Sequence, residues 1–311
     1  MAKIKRLLSI SISVGFAGWV VWFIRQRVYY FDQLFQVEWY SLTGLVLLFL
    51  CWHVLNGLLF RRLVSAFQIR LAIVESAAIS LVTSILNFVT PFRGGVGYRA
   101  YYLNQRHGMA LGHFISVFGS YYLLDFLVKS SVAIIIILYT FLKFEKFYLS
   151  LLVFFSFLGM VCFYVVFFAP SVPESGGRIW IKIAKTVNSW DYIRRSRSIL
   201  WYFGAISILQ VVLSGLILQL AFSVSKISVG FSECVLLAIM ASFGMMLGLT
   251  PGSIGIIEGI FLLTSPLVGV VTEEMLVGAL IRRGADLLAL VVFSPIGWVW
   301  LTFNKSDRAD S

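Results

Sequence analysis

Apolar residues run through this chain in long blocks instead of alternating with polar ones. Six blocks, residues 7–24, 40–60, 111–141, 147–169, 199–222 and 275–303, approach or exceed the roughly 20 residues that a helix needs to cross a bilayer. Each predicts a spanning helix, because a helix pairs its own backbone groups where no water is present. Two further apolar stretches, 73–103 and 232–264, are interrupted midway by proline and glycine. The pattern predicts an all-α polytopic membrane protein with about six spanning helices plus two Pro/Gly-broken re-entrant hairpins in an inverted repeat.

Composition agrees: 60% of the 311 residues are hydrophobic and 13% charged, far from the balance of a soluble domain. No polar segment is long enough for a soluble domain, so residues 1–311 read as one integral membrane domain. Its pseudo-repeat halves, about 40–169 and 199–303, are joined by a basic loop, 170–198. The charged start and the apolar run 7–24 resemble a signal peptide, but no small-x-small site precedes Arg25, so a retained first helix is expected. The net charge of +11 sits in short loops beside apolar spans, where it orients the chain and meets anionic head groups; nucleic acid is not an expected partner. Cys51, Cys162 and Cys234 lie in apolar segments without metal-ligand spacing and read as small hydrophobes. No metal or cofactor is expected.

Orientation follows from the basic residues. Lys3, Lys5 and Arg6, then Arg61, Arg62 and Arg70, and finally the six cations from Arg178 to Arg197 mark three cytoplasmic segments. With the loops at Arg61 and Arg178 on one side, 111–141 and 147–169 supply the even number of crossings between them. Residues 73–106 then turn back without crossing, leaving Arg106 and His107 cytoplasmic. By the same count 232–264 enters from the opposite face. The expected location is the cell (cytoplasmic) membrane, with both termini cytoplasmic.

The two broken stretches align with each other. At an offset of 160 positions, "LNFVTPFRGGVGYRAYYL" falls on "MLGLTPGSIGIIEGIFLL", so that Thr90 meets Thr250, Pro91 meets Pro251 and Gly95 meets Gly255. One residue further out of register, Tyr122 and Asp125 of "YLLDFL" fall on Arg283 and Asp286 of "RGADLL". Broken helices at the interface of inverted repeats are where membrane transporters hold their substrates.

Chemistry concentrates at the same places. An unpaired backbone group in hydrocarbon costs several kcal/mol, so a Pro/Gly break persists only when buried in protein or lining a wet cavity. A helix starting near Gly95 would offer free N–H groups and a positive dipole end, and Arg93 and Arg99 flank it, a combination suited to an anion such as phosphate. The second stretch places Glu258 in its returning helix. Arg282, Arg283 and Asp286 lie inside 275–303, and Asp125 and Lys129 inside 111–141. Each charge at a bilayer centre costs at least about 2.5 to 3.5 kcal/mol, so these imply pairing, a wet cavity or a charged ligand.

Blander readings stand beside these. The breaks could be kinks, with Gly244/Gly248 and Gly255/Gly259 packing helices. Arg283 with Asp286, and Asp125 with Lys129, suit structural ion pairs along one helix face. His53 and His113 read as satisfied core or interface residues, and His107 as a loop residue. Tyr29, Tyr30, Trp39, Trp201 and Trp298 read as interfacial belts. The basic loop reads as an amphipathic surface helix or a solvated loop. No nucleophile elbow, Walker loop or metal spacing appears.

The two segments resemble the signatures of the flippase-like family named after the transmembrane region of lysylphosphatidylglycerol synthase. Its first pattern, about N-x-x-x-P-x-R-x-G-E-x-x-R, is met by Asn87, Pro91, Arg93, Gly95 and Arg99. Its second, about P-G-x-x-G-x-x-E, is met by Pro251, Gly252, Gly255 and Glu258. Val96 stands where the family commonly has Glu, and Tyr121 and Tyr122 stand where it often has Glu-Arg.

The resemblance implies a protein that handles or translocates amphiphiles such as aminoacyl-phospholipids or polyprenyl-linked sugars, without the soluble synthase domain. The expectation is therefore a non-enzymatic lipid flippase or transporter for an anionic or phosphate-bearing lipid, with a lipid-biosynthetic enzyme as a potential partner. Asn87, Pro91, Arg93, Gly95, Arg99, Pro251, Gly252, Gly255, Glu258 and Arg283 would bind substrate; Asp125, Lys129, Arg282 and Asp286 would supply buried or coupling charge. Two alternatives remain open: an integral membrane glycosyl or acyl transferase or its subunit, with Glu258 or Asp125 as base, and a small-solute transporter.

Overall fold

The computed structural model describes residues 38–144, 148–168, 187–248 and 250–303, with 172, 173, 175, 177, 181 and 184 between them. The expected first helix, 7–24, and Tyr29 and Tyr30 lie outside these. Among the described residues every regular element is helical: α1 Trp39–Val64, α2 Ile73–Val89, α3 Gly94–His107, α4 Leu111–Phe144, α5 Leu149–Phe168, α6 Asp191–Arg194, α7 Arg197–Val224, α8 Phe231–Leu247, α9 Ile256–Val268 and α10 Thr272–Phe303.

Four of the expected spans appear as helices long and apolar enough to cross a membrane: Trp39–Phe67, Leu111–Lys143, Leu149–Phe168 and Arg197–Val224. The protein is a polytopic membrane protein. The last expected span is the 32-residue α10, about 48 Å long at 1.5 Å per residue; it is not among those four and carries Glu273, Glu274, Arg282, Arg283 and Asp286. The broken stretches become helix pairs. Their members, of 17, 14, 17 and 13 residues, are each only about 20 to 26 Å long, less than the hydrocarbon thickness of about 30 Å.

The same turn follows α2 and α8, although α2 runs up to Thr90 while α8 stops earlier, at Leu247 before the left-handed Gly248. A residue before proline is pushed out of the helical region, and Thr90 (φ −106°, ψ 141°) and Thr250 (φ −109°, ψ 153°) are both extended. The chain then makes a short 3-10 turn, Pro91–Arg93 or Pro251–Ser253. The next two residues match as well: Phe92 and Gly252 have φ of 54° and 57°, Arg93 and Ser253 of 55° and 52°. The sequence alignment is therefore also an alignment of backbone path. The paths part at the next position, where Gly94 is helical and Ile254 is extended (ψ −25° against 133°); α9 starts two residues later behind Gly255 at φ 88°.

The chain divides into two compact units that cut across the sequential halves. One takes in the described parts of Met1–His53, Ala78–Gly97 and Val212–Ser311, so both breaks belong to it. Its core is Phe222, Leu237, Ala241, Ile257, Phe261, Met275 and neighbours, from α7 to α10. Glycines set the close approaches: a Cβ on Gly278 would strike Phe222, and one on Gly244 would strike Ile260 and Ile256. Gly244 is thus the packing glycine expected between α8 and α9, while a Cβ on Gly259 would meet nothing. Helix α10 runs antiparallel to α2, the Ser294 hydroxyl donating to the Leu81 carbonyl at 3.1 Å and Gly297 lying against Ala78.

The other unit comprises Val54–Ala77 and Tyr98–Val211. Within it α4 packs on α5, and Arg61 of α1 donates through Nε to the Leu71 carbonyl at 2.7 Å, tying down the loop into α2. His107, expected in a loop, closes α3 and meets Glu75 at 2.8 Å. Of the basic loop, α6 is described in full: Asp191 holds Arg194 at 2.5 Å and Arg195 at 3.1 Å. Cys162 and Cys234 are buried as expected, but Cys51 is exposed on α1, since its side of that helix faces away from protein. Trp39 and Trp201 are exposed.

Candidate functional site

The two breaks touch. The Phe92 N–H donates to the Gly248 carbonyl at 3.1 Å, and the Arg93 guanidinium donates through Nη2 to the Met245 carbonyl. Each bond gives a partner to a carbonyl that the end of α8 leaves over. Gly248 makes this geometry available in two ways. Its φ of 51° is left-handed, and a Cβ there would lie 2.7 Å from Arg93 Cγ, so the missing side chain is the passage for the arginine. Arg93 thus turns to the second hairpin, whereas the sequence places it beside the start of α3.

On the first hairpin, Gly95 is buried against α2, where a Cβ would overlap the Thr83 carbonyl oxygen and stand 2.8 Å from Asn87 Oδ1. That Asn87 oxygen is buried with no hydrogen-bond partner. On the second, the Gly255 N–H donates to Glu258 Oε2 at 2.9 Å, a cap that holds the carboxylate at the start of α9. Pro251 and Gly252 form the turn itself, with Phe88 packed 3.3 Å from where a Gly252 Cβ would be.

Helix α10 brings its charges to both sides of this arrangement. Arg283 Nε meets Glu258 Oε1 at 2.7 Å, its Nη2 reaches the Ser253 carbonyl at 3.5 Å, and its guanidinium lies 5.9 Å from the Phe88 ring centre. Arg283 Nη1 is buried and unpartnered. Asp286 pairs with His53 Nε2 at 2.9 Å, and Ser84 Oγ stands 3.3 Å from His53 Nδ1. Arg282 lies 5.6 Å over the Phe49 ring. The anticipated Arg283–Asp286 pair is therefore replaced by two cross-helix pairs. In each, the partner comes from a facing helix, Glu258 from α9 and His53 from α1. His53 is indeed satisfied, but by a charged partner far away in sequence.

In the other unit Asp125 and Lys129 pair as expected, at 2.6 Å. Arg99 is buried, its guanidinium 4.3 Å from the Phe60 ring centre, with Tyr121 and Tyr122 near enough to act on its charge. Tyr121 accepts from Asn56 Nδ2 at 3.3 Å. Aromatic rings, those of Phe60, Tyr121 and Tyr122, surround this arginine. Thus Asn87, Pro91, Arg93, Gly95, Pro251, Gly252, Gly255, Glu258, Arg282, Arg283 and Asp286 share the hairpin unit, and Arg99, Asp125 and Lys129 belong to the other. A cavity of about 730 Å³ lined by His113, Asn188, Asp191, Tyr192 and Arg195 shares none of them. Among the described residues no group of three His, Cys, Asp or Glu is placed to hold a metal.

The family profile described as the lysylphosphatidylglycerol synthase TM region matches residues 6–294. The chain belongs to this family. No curated protein matches it. Membership extends over α1 to α9 and most of α10, and so covers both breaks and every charged residue just described. It supports a role tied to membrane lipid, the setting of the lysylphosphatidylglycerol synthase TM region.

Proposed function

We propose that this member of the family is a lipid flippase or lipid transporter whose substrate carries an anionic or phosphate-bearing head group. The observation that carries the reading is the meeting of the two broken hairpins through Phe92, Arg93 and Gly248. Irregular backbone in a membrane protein needs partners, and here each hairpin supplies them to the other, leaving a donor and an acceptor unused. These are Arg283 Nη1 and Asn87 Oδ1, a cationic donor and an amide oxygen suited to a phosphate oxygen and a head-group hydroxyl or ammonium. The matching backbone at the breaks favours a repeat of two re-entrant hairpins, which we place in opposite orientations in the cell membrane with both termini cytoplasmic.

The transferase alternative gains little from the geometry. Its two candidate bases are engaged, Glu258 by Arg283 and the Gly255 N–H, and Asp125 by Lys129. The test is mass spectrometry of lipids that survive gentle purification, comparing the wild type with Arg99→Ala and Arg283→Ala. Enrichment of one phosphate-bearing lipid, lost in the variants, is the expected result and names the lipid for a flipping assay in vesicles. Bulk lipid alone, unchanged by either substitution, would sink the reading.

A further inference from the structure

Four carboxylates are buried among the described residues, Glu75, Asp125, Glu258 and Asp286, and their partners differ in kind. Glu258 is held by Arg283 and Asp125 by Lys129, residue types whose ordinary pKa values lie far above neutrality. Asp286 is held by His53, and imidazole is the side chain that gains and loses charge near neutrality. His53 is 2% exposed, lies on α1, and is met by α10 through Asp286 and by α2 through Ser84.

The three side chains satisfy both charge states of the ring. In the neutral form Nε2–H donates to Asp286 Oδ1, and the lone pair on Nδ1 accepts from the Ser84 hydroxyl. When a proton adds to that lone pair, Nδ1–H becomes a donor, and the hydroxyl, able to give or to accept, turns to receive it. No bond to a third group is lost and no buried polar atom is orphaned in either state. Ser84 is half-buried, whereas His53 is buried.

The other groups around the ring fit that role. Trp52 meets it edge-on at 5.2 Å and sends its own N–H away to Ser214 of α7 at 3.1 Å. Arg282, one helical turn before Asp286, is the other charge on this face, lying over Phe49, one turn before His53 on α1. Arg283 is turned to Glu258. We propose that His53 and Asp286 form a proton-binding site, with Ser84 as the hydroxyl that serves both states.

With an anionic lipid as substrate, as proposed above, a linkage follows. With His53 neutral, the charges at the two breaks and beside the ring are Arg93, Arg282 and Arg283 against Glu258 and Asp286, an excess of one positive charge among these five groups. Protonation of His53 raises it to two. A bound anion then favours proton uptake, and proton uptake favours the anion, by the same factor.

The proton site is tested without any lipid ligand. The chain has three histidines, so protein labelled with ¹⁵N-histidine gives three sets of ring signals in detergent micelles. His107→Gln and His113→Gln assign the other two and leave His53 in place. The second histidine–carboxylate pair, His107 with Glu75, is thereby read separately. The expected result is a His53 ring neutral at pH 8.5 and protonated at pH 5.5. In Asp286→Asn the ratio of protonated to neutral ring at pH 5.5 should fall by on the order of tenfold, as loss of one neighbouring charge predicts. A His53 ring that keeps one protonation state from pH 5.5 to 8.5 in the wild type overturns the proposal whatever the variant does. A titration that Asp286→Asn leaves unchanged overturns it too.

Discussion

Arg283 on α10 pairs with Glu258 on α9 at 2.7 Å, although Asp286 stands only three residues further along its own helix. Both side chains of the pair are largely buried, at 14% and 3% exposure. Removing one partner from a buried pair leaves an uncompensated charge, which costs about 3 to 5 kcal/mol. Glu258→Gln should therefore lower the thermal unfolding midpoint in detergent sharply. Glu258→Gln with Arg283→Met should recover most of the loss. If the double variant is no more stable than Glu258→Gln alone, the two residues are not coupled as drawn.

That pairing also marks where the sequence stops being informative. The breaks and most of the spans follow from hydropathy and from what proline does to the residue before it, and both are local properties. Thr90 and Thr250 had to be extended. The partner of Arg283 is not a local property: three-residue spacing makes Asp286 a fair candidate, and only the packing of α9 on α10 decides for Glu258. His53 was less accessible still, since one histidine in an apolar run gives no signal of an aspartate 233 positions away.

The glycines of the first hairpin separate into two kinds. A Cβ at Gly95 overlaps the Thr83 carbonyl of α2, while one at Gly97 meets nothing within 4 Å. Gly95→Ala should destabilise by about 1 to 3 kcal/mol or push the hairpin open. Gly97→Ala, in the interior of α3, should stabilise by about 0.5 to 1 kcal/mol through helix propensity. The check is the pair of unfolding midpoints in the same detergent, and equal shifts for both would refute the close approach of α2 and α3.

At the open end of the first hairpin, outside the spanning helices, Glu75 accepts from Tyr102 at 2.9 Å and from His107 at 2.8 Å, and from the Ala72 N–H at 3.2 Å. Burial alone would raise its carboxyl, but these bonds outweigh it and hold the group below its usual value of 4.5. A depressed acid contributes stability above its unfolded value and loses it as pH falls through the folded one. The stability difference between wild type and Glu75→Gln should thus be full at pH 7, begin to shrink below about pH 4.5, and vanish at lower pH. Unfolding midpoints measured at several pH values read this directly, and a difference that grows on acidification contradicts it.

Phe92 occupies the position that Gly252 holds in the second hairpin, with φ of 54° against 57°. A residue with a Cβ pays roughly 1 to 2 kcal/mol to sit there, and Phe92 has little packing to offset it, being 51% exposed. Phe92→Gly copies the second hairpin into the first. It removes the strain but adds freedom to the unfolded chain, worth about 0.5 to 1 kcal/mol in the other direction. The expected outcome is an unfolding midpoint equal to or slightly above that of the wild type, with the Phe92 N–H bond to Gly248 intact. Hydrogen exchange at residue 92 checks the bond. A clear loss of stability would show that the aromatic ring packs against something that its exposure conceals and so belongs to the fold, whereas the expected neutral outcome leaves the strain at this exposed tip without a folding reason.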